Sequence, residues 1–213
     1  SALQALELNP RLAEAHASLG YIVNSFEFDW EAAEREYKIA LELDPNYPTA
    51  RQWYAEHLAF TGRTDEALEQ ITLALDLDPL SLVINRMKGN VLGFAGRHDE
   101  AIEQHWRTIE LYPENSLVRF NLGESFAAKG MYKEAVEQFL VGLKMDGKKD
   151  YELRRLENAF KLRGWKGFWM QYLAGLINLR KDLLENDKTA YFANEHMALV
   201  YAQTGNREMA LEF

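Results

Sequence analysis

The chain has 213 residues, a formal net charge of −9, no cysteine and 47% hydrophobic residues. That is enough apolar material for a packed core in one or two domains, and the charged fraction excludes global disorder. The missing cysteines exclude a disulfide framework, a thiolate metal site and a Cys nucleophile; no long apolar run or signal-peptide pattern occurs, and the acidic balance argues against wholesale nucleic-acid binding.

In chain order, Ser1 to Asn9 reads as the tail of a helix that ends at Pro10. From there one 34-residue period governs the sequence. Ala33, Ala67, Ala101 and Ala135 keep that step, as do Gly62, Gly96, Gly130 and Gly164, and so do Pro45, Pro79 and Pro113. Pro10 precedes Pro45 by 35, so the first full repeat carries one extra residue. Apolar residues between these markers recur at helical spacing, and none of the segments alternates as a half-buried strand does. The spacing predicts an antiparallel helix pair per repeat, over 12–25 and 30–43, 47–61 and 64–77, 81–95 and 98–111, 115–129 and 132–145. The glycines suit left-handed helix ends, and each residue before a proline is pushed out of the helical region. Thr64-Asp65-Glu66 and His98-Asp99-Glu100 are expected to cap and charge the following helix starts. Past 149 the pattern drifts. Leu156 to Gly164 keeps a fifth first helix, a longer helix runs from about Trp165 to Glu185, Asn186 to Thr189 reads as a turn, and Met197, Gly205 and Ala210 restart the motif.

These ladders resemble the tetratricopeptide repeat, whose motif is Trp-x2-Leu-Gly-x2-Tyr, then Ala-x3-Phe, then Pro. Leu122-Gly123-x2-Phe126 with Ala135-x3-Phe139, and Leu19-Gly20 with Ala33-x3-Tyr37 and Pro45, carry the resemblance. The Trp slot departs from it, being filled by His16, Arg51, Asn85 and Arg119, and His105 stands where the motif has an aromatic residue. The resemblance implies an all-α fold, a right-handed α-α superhelix of antiparallel helix pairs. Its expected division is a truncated repeat tail over 1–10, four repeats over 11–149, and a divergent fifth repeat with a partial sixth over 150–213. Both ends cut through an element, so a piece of a longer polypeptide is expected.

No catalytic residue, cofactor or metal site is expected. The five histidines form no zinc pair, and neither a phosphate-binding glycine loop nor a nucleophile elbow occurs. The resemblance instead implies a concave groove lined by set positions of each first helix, here Tyr21, Asn24, Gln52, Glu56, Arg86, Asn90, Phe120, Glu124, Arg154 and Asn158. Arg and Asn suit hydrogen bonds to a peptide backbone or carboxylate, and aromatics suit anchoring of apolar side chains. The function expected is protein or peptide binding by a scaffold. The alternatives are a regulatory arm of an attached enzyme or DNA-binding domain, and a self-association module. Neither the lysine and asparagine clamp for free carboxylates nor an asparagine ladder is present.

Residues 1–149 hold 15 basic and 24 acidic side chains, and 150–213 hold nine of each. Arg154, Arg155, Lys161, Arg163 and Lys166 sit near Trp165, Phe168, Trp169 and Tyr172, but the spacing of those aromatics marks one helix face and reads as core rather than as a nucleic-acid platform. The stretch from Phe28 to Tyr47 resembles repeat arrays of bacterial signalling proteins; a cytoplasmic protein is expected, with no membrane or direct nucleic-acid contact.

Overall fold

The computed structural model describes residues 1–185 and, beyond them, 197, 198, 200, 201, 204, 205 and 209. Every described element is helical: α1 (Ala2–Leu8), α2 (Ala13–Ile22), α3 (Trp30–Leu43), α4 (Pro48–Phe60), α5 (Thr64–Leu77), α6 (Leu82–Phe94), α7 (His98–Leu111), α8 (Ser116–Ala128), α9 (Tyr132–Met145) and α10 (Asp150–Glu185). Boundaries expected from periodicity are met within about two residues for α3 to α9. The fold is an all-α solenoid of antiparallel helix pairs. It divides into two compact units, Ser1–Met131 and Tyr132–Phe213.

In the first unit α2 packs on α3, α4 on α5 and α6 on α7, and each pair leans on the next. First helices also touch one another directly, α2 to α4, α4 to α6 and α6 to α8, whereas the second helices α3, α5 and α7 are not joined in that way. The first helices therefore form the inner layer of this stack. Small residues permit the close approach: Ala17, Ala33, Ala40, Ala50, Ala55, Ala67, Ala74 and Ala101 are fully buried. Gly20 lies against Tyr37, and Gly89 against His105; a Cβ at Gly89 would overlap the imidazole.

The glycine ladder closes the first helices. At Gly62, φ is +80°, Arg63 N–H donates to Leu58 and Gly62 N–H to Ala59, the paired bonds of a left-handed helix end. The extra residue of the first repeat lies between Gly20 and Ala33, and the structure absorbs it in a π-helical turn over Val23–Glu27. Phe28 then stands in the glycine slot, at φ +56° and largely exposed.

Two local expectations are corrected. Arg63 and Arg97, not Thr64 and His98, occupy the N-cap positions of α5 and α7, and neither helix has a side-chain cap. Each arginine instead grips the glutamate three residues on: Arg63 Nη2 to Glu66 at 2.6 Å and Arg97 Nη2 to Glu100 at 2.5 Å. The departures in the Trp slot also have a shared physical reason. His16 Nε2, Arg51 Nε and Asn85 Nδ2 each donate to the carbonyl of the proline six residues back, Pro10, Pro45 and Pro79. The slot is kept by an N–H donor rather than by an indole.

In the second unit, α10 breaks at Gly164, with φ 61° and ψ −155°, into helical segments 150–163 and 165–185. Phe168, Trp169, Leu173 and Leu176 are buried, as one helix face demands. Trp165 stacks on Tyr132 at 4.8 Å between ring centroids, and Trp169 meets Phe139 edge-on at 5.5 Å. These aromatics are core. The turn at 186–189 and Ala210 lie outside the described residues. Of the expected restart, Met197 and Val200 are buried, and Gly205 has φ +81°.

Candidate functional site

The inner layer of the first unit places the expected groove residues unequally. Tyr21 is partly exposed and rests on Trp53 at 4.9 Å between ring centroids. Asn24 is buried and its Oδ1 accepts from His57 Nδ1 at 2.8 Å. Gln52 is buried too, and its Nε2 donates to Glu56 at 3.4 Å. Burial raises the Glu56 carboxyl, against the pull of the nearby Arg86 guanidinium and the Gln52 hydrogen bond. Arg86 is half-buried and forms no ion pair or hydrogen bond among the described residues. Phe120 is half-buried. Arg154 and Asn158, on α10 of the second unit, are exposed.

Asn90 and Glu124 come together in one pocket of about 220 Å³ between α6 and α8. Gly89 and Gly93 form its floor and wall without side chains, Phe94 and Ala128 supply apolar surface, and His98, His105, Asn121 and Ser125 complete it. His105 is 1% exposed, and its Nδ1 has no hydrogen-bond partner; His98 Nδ1 and Asn121 Oδ1 are likewise buried without one. Burial, with the Arg86 charge adding to it, drives the His105 imidazole down to about 4, so it is neutral at physiological pH. Desolvation raises the Glu124 carboxyl, opposed by the Asn121 side chain. Glu124 has no ion pair among the described residues. At the pocket's lip Phe94 meets Phe60 at 5.9 Å between ring centroids, and both are more than half exposed.

Sequence reasoning missed this pocket, although its signal was present. Phe26, Phe60 and Phe94 each stand two residues before the glycine slot, an exposed aromatic step that repeats with the array. His105 was singled out for its unusual position, without the pocket around it.

A different polar cluster closes the first two repeats. Glu34 accepts from Tyr54 Oη at 3.0 Å and pairs with Lys38 and Arg63 at 2.8 Å. The Lys38 hydrogen bond, helped by Arg63 and Tyr54, holds its carboxyl at about 2. Every acid and base there has a partner inside the chain.

Tetratricopeptide repeat profiles match residues 27–85 and 86–148, together more than half of the chain. The chain belongs to the tetratricopeptide repeat family. Among solved structures, the tetratricopeptide protein YrrB, described as having an unusual peptide-binding site, is 22% identical, with a TM-score of 0.57 over 100% of this chain and 88% of its own. PilF of Pseudomonas aeruginosa is 20% identical, with a TM-score of 0.62 over 99% of this chain and 86% of that one. The thermophilic tetratricopeptide protein TTC0263 of Thermus thermophilus is 21% identical, with a TM-score of 0.62 over 72% and 83%. At these identities the likeness is one of fold. No curated protein matches the sequence.

Tetratricopeptide arrays are in general non-catalytic scaffolds for protein–protein interaction. Within that motif His105 fills the aromatic slot that Tyr37 and Phe139 fill in the first and fourth repeats. Like Tyr37 against Gly20, it packs against the glycine of its own repeat, Gly89, and it adds two ring nitrogens. Among the described residues no three His, Asp or Glu side chains are grouped to hold a metal ion, and no helix is long and apolar enough to cross a membrane.

Proposed function

We propose that this chain recognises a segment of a protein partner along the inner face of α4, α6 and α8. The observation that carries this reading is Arg86. A half-buried guanidinium with no ion pair among the described residues has five donors to offer a backbone or carboxylate, and it stands on the layer the first helices share. Asn90 and Phe120 extend that face on either side of it, while Asn24 and Gln52 act in packing rather than contact. The peptide-binding site described for YrrB supports the reading, since a chain of this fold has a site for a peptide. The absence of cysteine suits a reducing compartment, and we place this recognition in the cytoplasm, as the interaction arm of a regulatory assembly.

A pool of capped random nonapeptides, titrated against the chain by fluorescence anisotropy, tests the proposal. Arg86→Ala is expected to weaken binding about tenfold, the loss of one charge-assisted contact, with the variant still folded because Arg86 makes no hydrogen bond or ion pair among the described residues. Equal binding by the folded variant, or none by the parent, overturns it.

A further inference from the structure

Resting on the peptide-binding reading, we propose that the pocket between α6 and α8 receives a cationic side chain, lysine or arginine, of the bound segment, with Glu124 as its counter-ion. The pocket differs from the rest of the inner face in what it leaves undone. Glu124 carries a carboxylate with no ion pair, beside an unpartnered Asn121 Oδ1 and an unpartnered His105 Nδ1 on a residue that is only 1% exposed. An ammonium brings three donors and a guanidinium five, which matches this set of acceptors.

The walls fit the remainder of such a side chain. Phe94 presents an exposed ring at the lip, backed by Phe60, along which the methylenes of a lysine or the plane of an arginine can lie. Gly93 leaves its stretch of the wall open, with nothing within 4 Å of where its Cβ would be, while the His105 ring fills the space beside Gly89. His105 is neutral, so it adds no competing positive charge.

Other occupants fit less well. An apolar side chain would strip water from Glu124 and leave every orphaned polar atom unmet, a costly burial. An acidic one would face Glu124 directly. The surrounding charge agrees with the choice, since residues 1–131 hold 11 basic against 21 acidic side chains and attract a cationic segment at long range.

The test uses the full chain, labelled with nitrogen-15, and capped nonapeptide pools that are random except for a central Lys, Arg, norleucine or Glu. The Lys and Arg pools are expected to move the Gly89 and Gly93 amide signals and to bind about tenfold more tightly than the norleucine pool. Glu124→Gln is expected to erase that preference while keeping the dispersed spectrum of a folded chain. Equal affinity across the four pools, or a preference that survives in Glu124→Gln, overturns the proposal. Should the pools bind without preference, and Arg86→Ala weaken them all, the cation pocket falls and the peptide-binding face stands. Should no pool bind, both fall.

Discussion

His57 and His105 are each 1% exposed, each sits among packed helices, and each has its imidazole pulled below the ordinary value, first of all by burial. His57 donates its Nδ1 hydrogen to Asn24 and lies within about 6 Å of the rings of Trp30, Tyr37 and Tyr54. His105 lies against a glycine and lines a pocket, and its Nδ1 has no hydrogen-bond partner among the described residues. The same residue type at the same burial thus serves two ends. Where the bond is made internally, the histidine fixes how two repeats stack. Where it is left open, an unmet buried polar group costs about 1–3 kcal/mol.

The sharpest way to break this comparison is pH. His105 falls from 6.5 in the unfolded chain to about 4 in the folded one, so its contribution is complete above 6.5 and is lost as pH falls through 6.5 towards 4. The loss amounts to about 3 kcal/mol. His105→Phe, which restores the aromatic of the other repeats, is expected to remove that part of the acid sensitivity and to cost less than about 1.5 kcal/mol at neutral pH. Urea unfolding of both proteins across this range reads it directly, and the difference between the two curves cancels the opposite drift from the raised Glu56 and Glu124 carboxyls. Parallel curves would show that His105 is not held neutral by its burial.

Next in size is Gly89→Ala, whose Cβ would overlap the His105 ring and is expected to destabilise by about 2 kcal/mol. Gly93→Ala, one turn further on with open space, is expected to stabilise by about 0.5–1 kcal/mol through helix propensity alone. Equal effects at the two glycines in thermal melts would deny the tight packing behind His105. Asn24→Ala, which strands the His57 donor, is expected to cost about 1–2 kcal/mol in the same assay. The smallest effect belongs to Phe28→Gly. Relief of a left-handed φ on a residue with a Cβ, less the added freedom of the unfolded chain, leaves a gain of about 0.5 kcal/mol, visible as a small rise in the urea midpoint.

The helix pairs were legible because the signals that make them are local. Gly62 and its successors and the residues before Pro45 and Pro79 each act within one turn of themselves, and the Ala33 ladder repeats in phase with them. The Trp slot was less legible, since motif reading compares side-chain shapes, while His16, Arg51 and Asn85 share a donor that reaches a carbonyl six residues away. The burial of the expected groove residues was not legible. Helical position alone puts Asn24 and Gln52 on the same face as Arg86, and only the neighbouring repeat decides that the first two are covered. The pocket was the hardest to read, because it is made by what Gly89 and Gly93 lack and by Glu124, a repeat further on.

The π-helical turn at Val23–Glu27 shows how this array tolerates a change of length. A single added residue in a helix normally rotates everything after it by about 100°, which would turn the core face of α3 outward. Here the surplus is spent within one widened turn, and Ala33, the next marker, is back in phase and fully buried. The left-handed link at Phe28 acts as a reset point, upstream of which the chain can gain a residue without disturbing any repeat that follows. Insertions at the ends of first helices are therefore the length changes this architecture should accumulate most readily.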